Sequence, residues 1–483
     1  MAVATAVRVY RLDRWSLWVD EAFSVWMAQH DPMALLRWVA RIDQHPPLFY
    51  LLLAAWGRTW GWHEASLRGL SVALSVFTLP LMFAIGRRLG GTRVGWMAAV
   101  VFALSPLHVR YAREARMYAL LTLGVALMVW AALHWLTAYS RGKPGLKWGG
   151  VVALGALITL YAHNMGLLFV LAFLAGAAWW IGRSGKRARW TPFLTVVAMI
   201  GVGWGIWVPV FIGQALGVLR RFWIPYPTWR SVLELIQAFH AAFVPRGGML
   251  GVLDMLLLMA AFYGGWVIWQ QPARRGLGML LWSMVVVPVG LALAVSPVRP
   301  VFQVRTLIGA SVPYLALATL GLHALPRKAL RYAACALWIG LNLWGLVQLY
   351  RQPEPEPWRQ VAAHVAEQVQ PGDAILFHAS WVYLPFTYYF SPDVPVTLRG
   401  IPADLFQRGE LEPPMRPEDV PSLRALAKGY PRVWLIYSHD WYTDPQGRVV
   451  QTLDSTLCRV QEWRWPNIRV LLYVRLDAPC EQP

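Results

Sequence analysis

Ten apolar runs, at 67–86, 94–109, 117–136, 148–161, 165–181, 192–211, 250–269, 277–295, 306–324 and 329–349, fill most of the middle of this chain. A helix crosses the hydrocarbon core of a bilayer with about 20 predominantly apolar residues. Inside lipid the backbone must satisfy its own polar groups, so runs of this kind are helices. Charged residues make up only 14% of the chain and the mean hydropathy is +0.42, against about 25% charge in a soluble domain. The 29 Trp suit the two membrane–water interfaces.

The segments between the runs alternate in charge. Loops at 87–93, 141–147, 183–189, 272–276 and 327–331 carry 3, 3, 4, 2 and 3 Lys or Arg and no Asp or Glu. Positive charge accumulates on the cytoplasmic side of membrane proteins, so these five loops are expected inside. Residues 1–66, 110–116, 162–164, 212–249, 296–305 and everything after 350 are then expected outside. The net charge of +19 belongs to this pattern. With no basic stripe or aromatic platform, nucleic acid is excluded as a partner.

Residues 1–9 are too short to span or to serve as a signal peptide, and read as the end of a longer first helix or as a segment dipping into the interface. In the following loop, Asp31-Pro32 opens a segment with apolar Met33, Leu35, Leu36, Val39 and Ala40 and basic Arg37 and Arg41. That predicts an amphipathic helix on the outer leaflet with Asp31 as its N-cap. Residues 46–62 are apolar and aromatic but short, and are expected to be interfacial. The tail from 350 is Pro-rich at first, then reads as a helix at 358–369 and strands at 373–377, 432–437 and 468–474, a small α/β domain. Cys335 lies in an apolar run as a packing residue. Cys458 and Cys480 stand either as a disulfide or as two free thiols.

Three polar clusters face the expected outer side. Asp20 and Glu21 follow the interfacial aromatics Trp15 and Trp18. Adjacent carboxylates repel, and one partly desolvated gains basicity, as a general base requires; the simpler alternative is that they cap the helix that follows. Asp43 and His45 precede Pro46-Pro47, which fix the direction of the side chains before them; His45 suits an acceptor or a phosphate, or is only a loop histidine. Arg110, Arg113 and Arg116 recur every three residues and on a helix share one face, which suits bidentate binding of a phosphate. Glu114 is spaced for an ion pair with Arg110, and Tyr118 for an interfacial anchor. Arg299 and Arg305 add outer charge against the topological bias. Arg220, Arg221, Phe222, Trp223, Tyr226, Trp229 and Arg230 are expected to anchor at the interface or close over a substrate. His163 and Asn164 read as turn chemistry. There is no Gly-rich nucleotide loop, no metal-spaced Cys/His cluster and no Gly-x-Ser-x-Gly.

Over residues 8–136 these clusters resemble the GT-C superfamily of membrane glycosyltransferases, in the glycosyltransferase family 39-like branch that includes protein O-mannosyltransferases and the aminoarabinose transferase. The stretches that carry the resemblance are Leu-Trp-x-Asp-Glu-Ala-Phe-Ser at 17–24, His-Pro-Pro-Leu at 45–48, and Ser-Pro-x-His…Glu-Ala-Arg-Met-Tyr-Ala-Leu at 105–120. Later the likeness is weaker: Arg305 matches an Arg-Tyr at the start of a late helix, where this chain has Thr306. Relatives begin with a complete first helix, of which residues 1–9 match only the end.

The resemblance implies transfer of a hexosyl or pentosyl group from a polyprenyl-phosphate donor to a hydroxyl of a lipid, glycan or protein acceptor on the extracytoplasmic side, with inversion. Asp20 matches the loop carboxylate taken as base, with Glu21 beside it. Asp43, His45, Glu114 and Tyr118 belong to the substrate-binding loops, and Arg113, Arg116 and Arg305 are the candidates for the donor phosphate. No cofactor is expected, although Asp20, Glu21, Asp43 and His45 offer donors that leave a divalent metal open. The expected fold is an all-α polytopic domain of GT-C type with about 10–11 transmembrane helices and a small extracytoplasmic α/β domain. The expected divisions are 1–66, the outer catalytic loop; 67–349, the transmembrane domain; and 350–483, the C-terminal domain. A transporter, flippase or polymerase of lipid-linked glycans is the competing reading; it calls for charges near the bilayer midplane, whereas here they cluster outside it.

Overall fold

The structure is a computed structural model that describes residues 1–141, 145–183, 190–218, 224–245, 247–409 and 413–475. It comprises two compact units. The first is formed by Met1–Leu12 and Gln44–Gln352, the second by Asp13–Asp43 and Pro353–Pro483.

The first unit is helical, and each of the ten apolar runs coincides to within two residues with a helix or a bent or broken helix pair. Among the described residues five helices are long and apolar enough to cross a membrane, or seven if each bent pair counts as one span. Leu146–Ala162, Gly166–Gly182 and Ile308–Ala324 are shorter apolar helices. One bend, of 56°, separates Thr92–Leu104 from Pro106–Ala112. Ser105 has ψ 117° there, because a residue before proline is pushed out of the helical region. The other, of 67°, separates Trp190–Gly205 from the helix beginning at Val208.

These bends correct one expectation. Arg110, Arg113 and Arg116 do not share a helical face, because the helix ends at Ala112 and residues 113–117 form a turn that reverses the chain into the Tyr118–Ser140 helix. The three-residue spacing has no angular meaning outside a helix.

Small residues set the closest helix contacts. In the pair Gly248–Trp269 and Ser311–Ala324, a Cβ on Gly264 would meet the Leu317 carbonyl oxygen at 2.0 Å, and one on Gly321 would meet that of Ala260 at 1.7 Å. In lipid, where burying an apolar side chain against another gains little, such close backbone approach is what holds helices together.

The second unit is built on a sheet whose strands, among the described residues, are β1 (Ala374–His378), β2 (Thr397–Gly400), β3 (Arg432–Ser438), β4 (Cys458–Trp465) and β5 (Ile468–Val474). Their order is β2-β1-β3-β5-β4, with β1 parallel to β2 and β3 and the other pairings antiparallel. β1 is buried at every position, as a strand flanked on both sides and covered on both faces must be. One face packs on Trp358, Val361, Trp381 and Phe386, the other on Leu423, Val449 and Leu453. The helix expected at 358–369 spans Trp358–Ala366.

The loop segment contributes two helices to this unit, Val19–Gln29 and Pro32–Ile42. Asp31 caps the second as expected, its Oδ1 accepting the amides of Met33 and Ala34 at 3.0 Å each. Leu35, Val39 and Ile42 are its buried face. Cys335 is a free thiol and Cys458 is disulfide-bonded; Cys480 lies outside the described residues.

Candidate active site

In the first unit four loops distant in sequence bring cationic, imidazole and phenol groups together. The loop before the Leu48–Trp60 helix carries His45. The turn at 113–117 carries Arg116 and leads into Tyr118. His163 and Asn164 sit between the Leu146–Ala162 and Gly166–Gly182 helices, and Arg305 lies ahead of the Ile308–Ala324 helix. Helices that reverse at every connection put these loops at the ends opposite the basic loops.

The rings of His45 and His163 meet edge-on at 4.9 Å, and His163 lies 6.1 Å from Tyr118. Tyr118 in turn meets Tyr111 at 5.0 Å, and the Arg305 guanidinium sits 5.9 Å over its ring. Side-chain amides lock the two histidine loops together: Asn164 donates to the Gln44 carbonyl at 2.8 Å and to Gln214 at 3.0 Å, and Gln214 donates to the His45 carbonyl at 3.4 Å. Arg116 and Tyr118 are buried; His45 and Arg305 are half-buried.

His163 is the electrostatic centre of the group. Burial holds its pKa well below the ordinary imidazole value, and the neighbouring His45, Arg116 and Arg305 charges lower it further. Its Nδ1 accepts the Met165 amide at 3.0 Å, so the neutral ring carries its proton on Nε2. A neutral N–H donor beside two guanidiniums forms an anion-binding environment. His163 was legible only as a turn residue.

The other candidates make different contacts, although Glu114 and Arg110 share with Tyr118 and Arg305 the surroundings of Tyr111. Arg113 donates to the carbonyls of Arg8 at 3.1 Å and Arg11 at 2.9 Å, and to that of Tyr10, with its guanidinium 5.1 Å over the Tyr350 ring. It closes the C-terminal end of the Ala2–Val9 helix, where a cation is favoured. Glu114 pairs with Arg110 at 2.9 Å, the ion pair its spacing allowed. Arg230 stacks over the exposed Trp229 at 5.6 Å; Arg220, Arg221, Phe222 and Trp223 lie outside the described residues.

In the second unit, Asp20 and Glu21 occupy the first turn of the Val19–Gln29 helix, which has Trp18 at its N-cap. Glu21 is fully buried and Asp20 is partly exposed. Their charges favour the positive end of that helix, but neither is its cap. Asp43 closes the Pro32–Ile42 helix and is buried. Among the described residues no three His, Cys, Asp or Glu side chains form a group that could hold a metal ion.

No family model matches the chain, and no curated protein matches its sequence. Solved structures do. ArnT from Cupriavidus metallidurans in the apo state aligns with a TM-score of 0.65 at 12% identity, over 98% of this chain and 96% of that one. The same protein bound to undecaprenyl phosphate aligns at 0.58 and 14%, again over 98% and 96%. The Archaeoglobus fulgidus oligosaccharyltransferase in complex with Zn and sulfate aligns at 0.59 and 12%, over 99% of this chain and 73% of that one. The chain shares the fold of these structures, largely helical with a small C-terminal α/β domain.

Proposed function

We propose that the protein is a membrane glycosyltransferase that moves a hexosyl or pentosyl group from a polyprenyl-phosphate donor to an acceptor hydroxyl on the extracytoplasmic side, with Asp20 as general base. The observation that carries the reading is the convergence of His45, His163, Arg116, Tyr118 and Arg305 at one end of the apolar helices. Charged groups are costly to keep near a bilayer and mark a site where they gather. A neighbour in fold that binds undecaprenyl phosphate supports the same class of donor.

Breaking the bond between the anomeric carbon and the phosphate oxygen moves charge onto the leaving phosphate. Arg116 and Arg305, already oriented, stabilise that charge with little reorganisation, and the Nε2–H of His163 adds a neutral donor. The sugar carbon becomes oxocarbenium-like, and Asp20 takes the proton from the attacking hydroxyl. Inversion follows from a single displacement.

The test uses the purified full chain. Arg116→Ala and Arg305→Ala should each weaken binding of undecaprenyl phosphate about 10- to 100-fold, the loss of about 1.5–3 kcal/mol expected for a hydrogen bond to a charged group. Asp20→Asn should bind it as the wild type does, yet release it at only a small residual rate from undecaprenyl-phosphate mannose or aminoarabinose, whichever donor the wild type consumes. Wild-type affinity in both arginine variants, or full turnover by Asp20→Asn, would refute the assignment.

A further inference from the structure

The helix that carries Asp20 begins without a cap of its own: Trp18 stands at the N-cap and makes no side-chain hydrogen bond there. The first amides of a helix need acceptors from somewhere. Here the acceptor for the first of them comes from the stretch at 353–358, more than 300 residues later in the chain, which also holds the residues just before the helix. Glu354 accepts the Ser16 amide at 2.5 Å, and the Glu356 carboxylate accepts the amide of Val19, the first residue of the helix. Three further contacts fix the same approach. The Leu17 amide donates to the Tyr389 hydroxyl at 2.8 Å, the Arg359 amide to Ser16 Oγ at 3.1 Å, and Val19 packs among Trp358, Trp381 and Phe386.

Glu356 is itself held on every side. It is 9% exposed, its Oε2 accepts the Trp358 indole N–H at 2.8 Å, and its Oε1 lies 3.8 Å from His439 Nε2. His439 follows the end of β3, with Trp381 6.0 Å away just past the end of β1. The chain runs from β1 outward to β2, then back across to β3, so the β1/β3 boundary is a topological switch point. Crevices for functional groups open at the carboxyl ends of parallel strands at such boundaries. Burial pushes the Glu356 carboxyl above the usual glutamate range; His439 and the Trp358 indole pull it back, and the nearby Asp20 charge pushes it up again. Asp20 and Glu356 are therefore electrostatic neighbours within this unit.

We propose that Glu356, backed by His439, is a positioning residue for Asp20: the C-terminal α/β domain supplies the missing N-cap of the helix bearing the base and fixes the direction of its carboxylate. The proposal rests on Asp20 being the base. It gives the sheet domain a role in the reaction without placing any of its side chains on the substrate.

The experiment measures kcat and donor KM for the full chain with the undecaprenyl-phosphate sugar that the wild type consumes. Glu356→Ala should lower kcat about 10- to 100-fold, the usual effect of a misplacement near 1 Å, while donor KM stays within about two-fold. Glu356→Gln, which still offers an oxygen to the Val19 amide, should recover most of the loss. Glu356→Ala should lower the residual turnover of Asp20→Asn no further, because an effect exerted through Asp20 vanishes with it. If Glu356→Ala does not fold, Glu356→Asp, with its carboxylate drawn back by one methylene, carries the same expectation. Wild-type kcat in these variants, or a loss that adds in full to that of Asp20→Asn, overturns the proposal while leaving the base assignment intact. Full turnover by Asp20→Asn itself instead removes the base on which it rests.

Discussion

At the scale of single residues, His163 makes the sharpest prediction. Its folded pKa lies well below the ordinary value of 6.5, so the native state keeps the ring neutral while the unfolded chain binds a proton as pH falls. The unfolded state then binds more protons, and stability rises with pH. The contribution is complete above about 6.5 and should erode below it by about 1.4 kcal/mol per pH unit. Thermal unfolding between about pH 7.5 and 5.5 should show a clear decline, shallower by one proton equivalent in His163→Gln; an unchanged slope in that variant would exclude the ring as a source. Residue type and loop placement made His45, Arg116, Tyr118 and Arg305 legible as candidates. His163 was not, because nothing local in a His-Asn turn records which other loops it will meet. Arg113 shows the converse limit: its spacing suggested a phosphate ligand, yet its guanidinium is committed to backbone carbonyls.

At the scale of elements, strong periodic or apolar runs were legible and mixed ones were not. The strand expected at 468–474 spans Ile468–Val474, and Asp31 caps its helix through the chemistry its position suggested. β4 escaped because it is a charged edge strand: Arg459, Glu462 and Arg464 interrupt any alternation, and the pairing shifts between Arg459 and Gln461. Edges carry such features to avoid pairing with other chains. Helix breaks are equally quiet in a hydropathy scan, since Ser105-Pro106 sits in an otherwise apolar run. The glycine-faced helix pair yields a prediction here. Gly321→Val places a Cβ 1.7 Å from a backbone oxygen and should destabilise the protein by about 3 kcal/mol, the upper part of the range for overpacking. Gly340→Val is the control, since nothing lies within 4 Å of its Cβ position. Equal melting temperatures for the two variants would contradict close backbone contact as the source of helix pairing.

At the scale of the whole molecule, the contacts join residues 13–43 to 353–483, a pairing that no local pattern marks because it depends on long-range packing. The proposed sidedness, by contrast, rests on the charges. Five loops hold fifteen Lys or Arg and no acidic residue, and the cluster around His163 lies at the opposite helix ends. Cys458, in the second unit, is disulfide-bonded. Single cysteines introduced in a Cys335→Ser background test that orientation. In right-side-out membrane vesicles, a membrane-impermeant maleimide should label His63→Cys and Trp229→Cys at once, and Arg93→Cys and Lys147→Cys only after detergent. The reverse pattern would put the His163 cluster on the cytoplasmic face, and with it any phosphate headgroup that it binds.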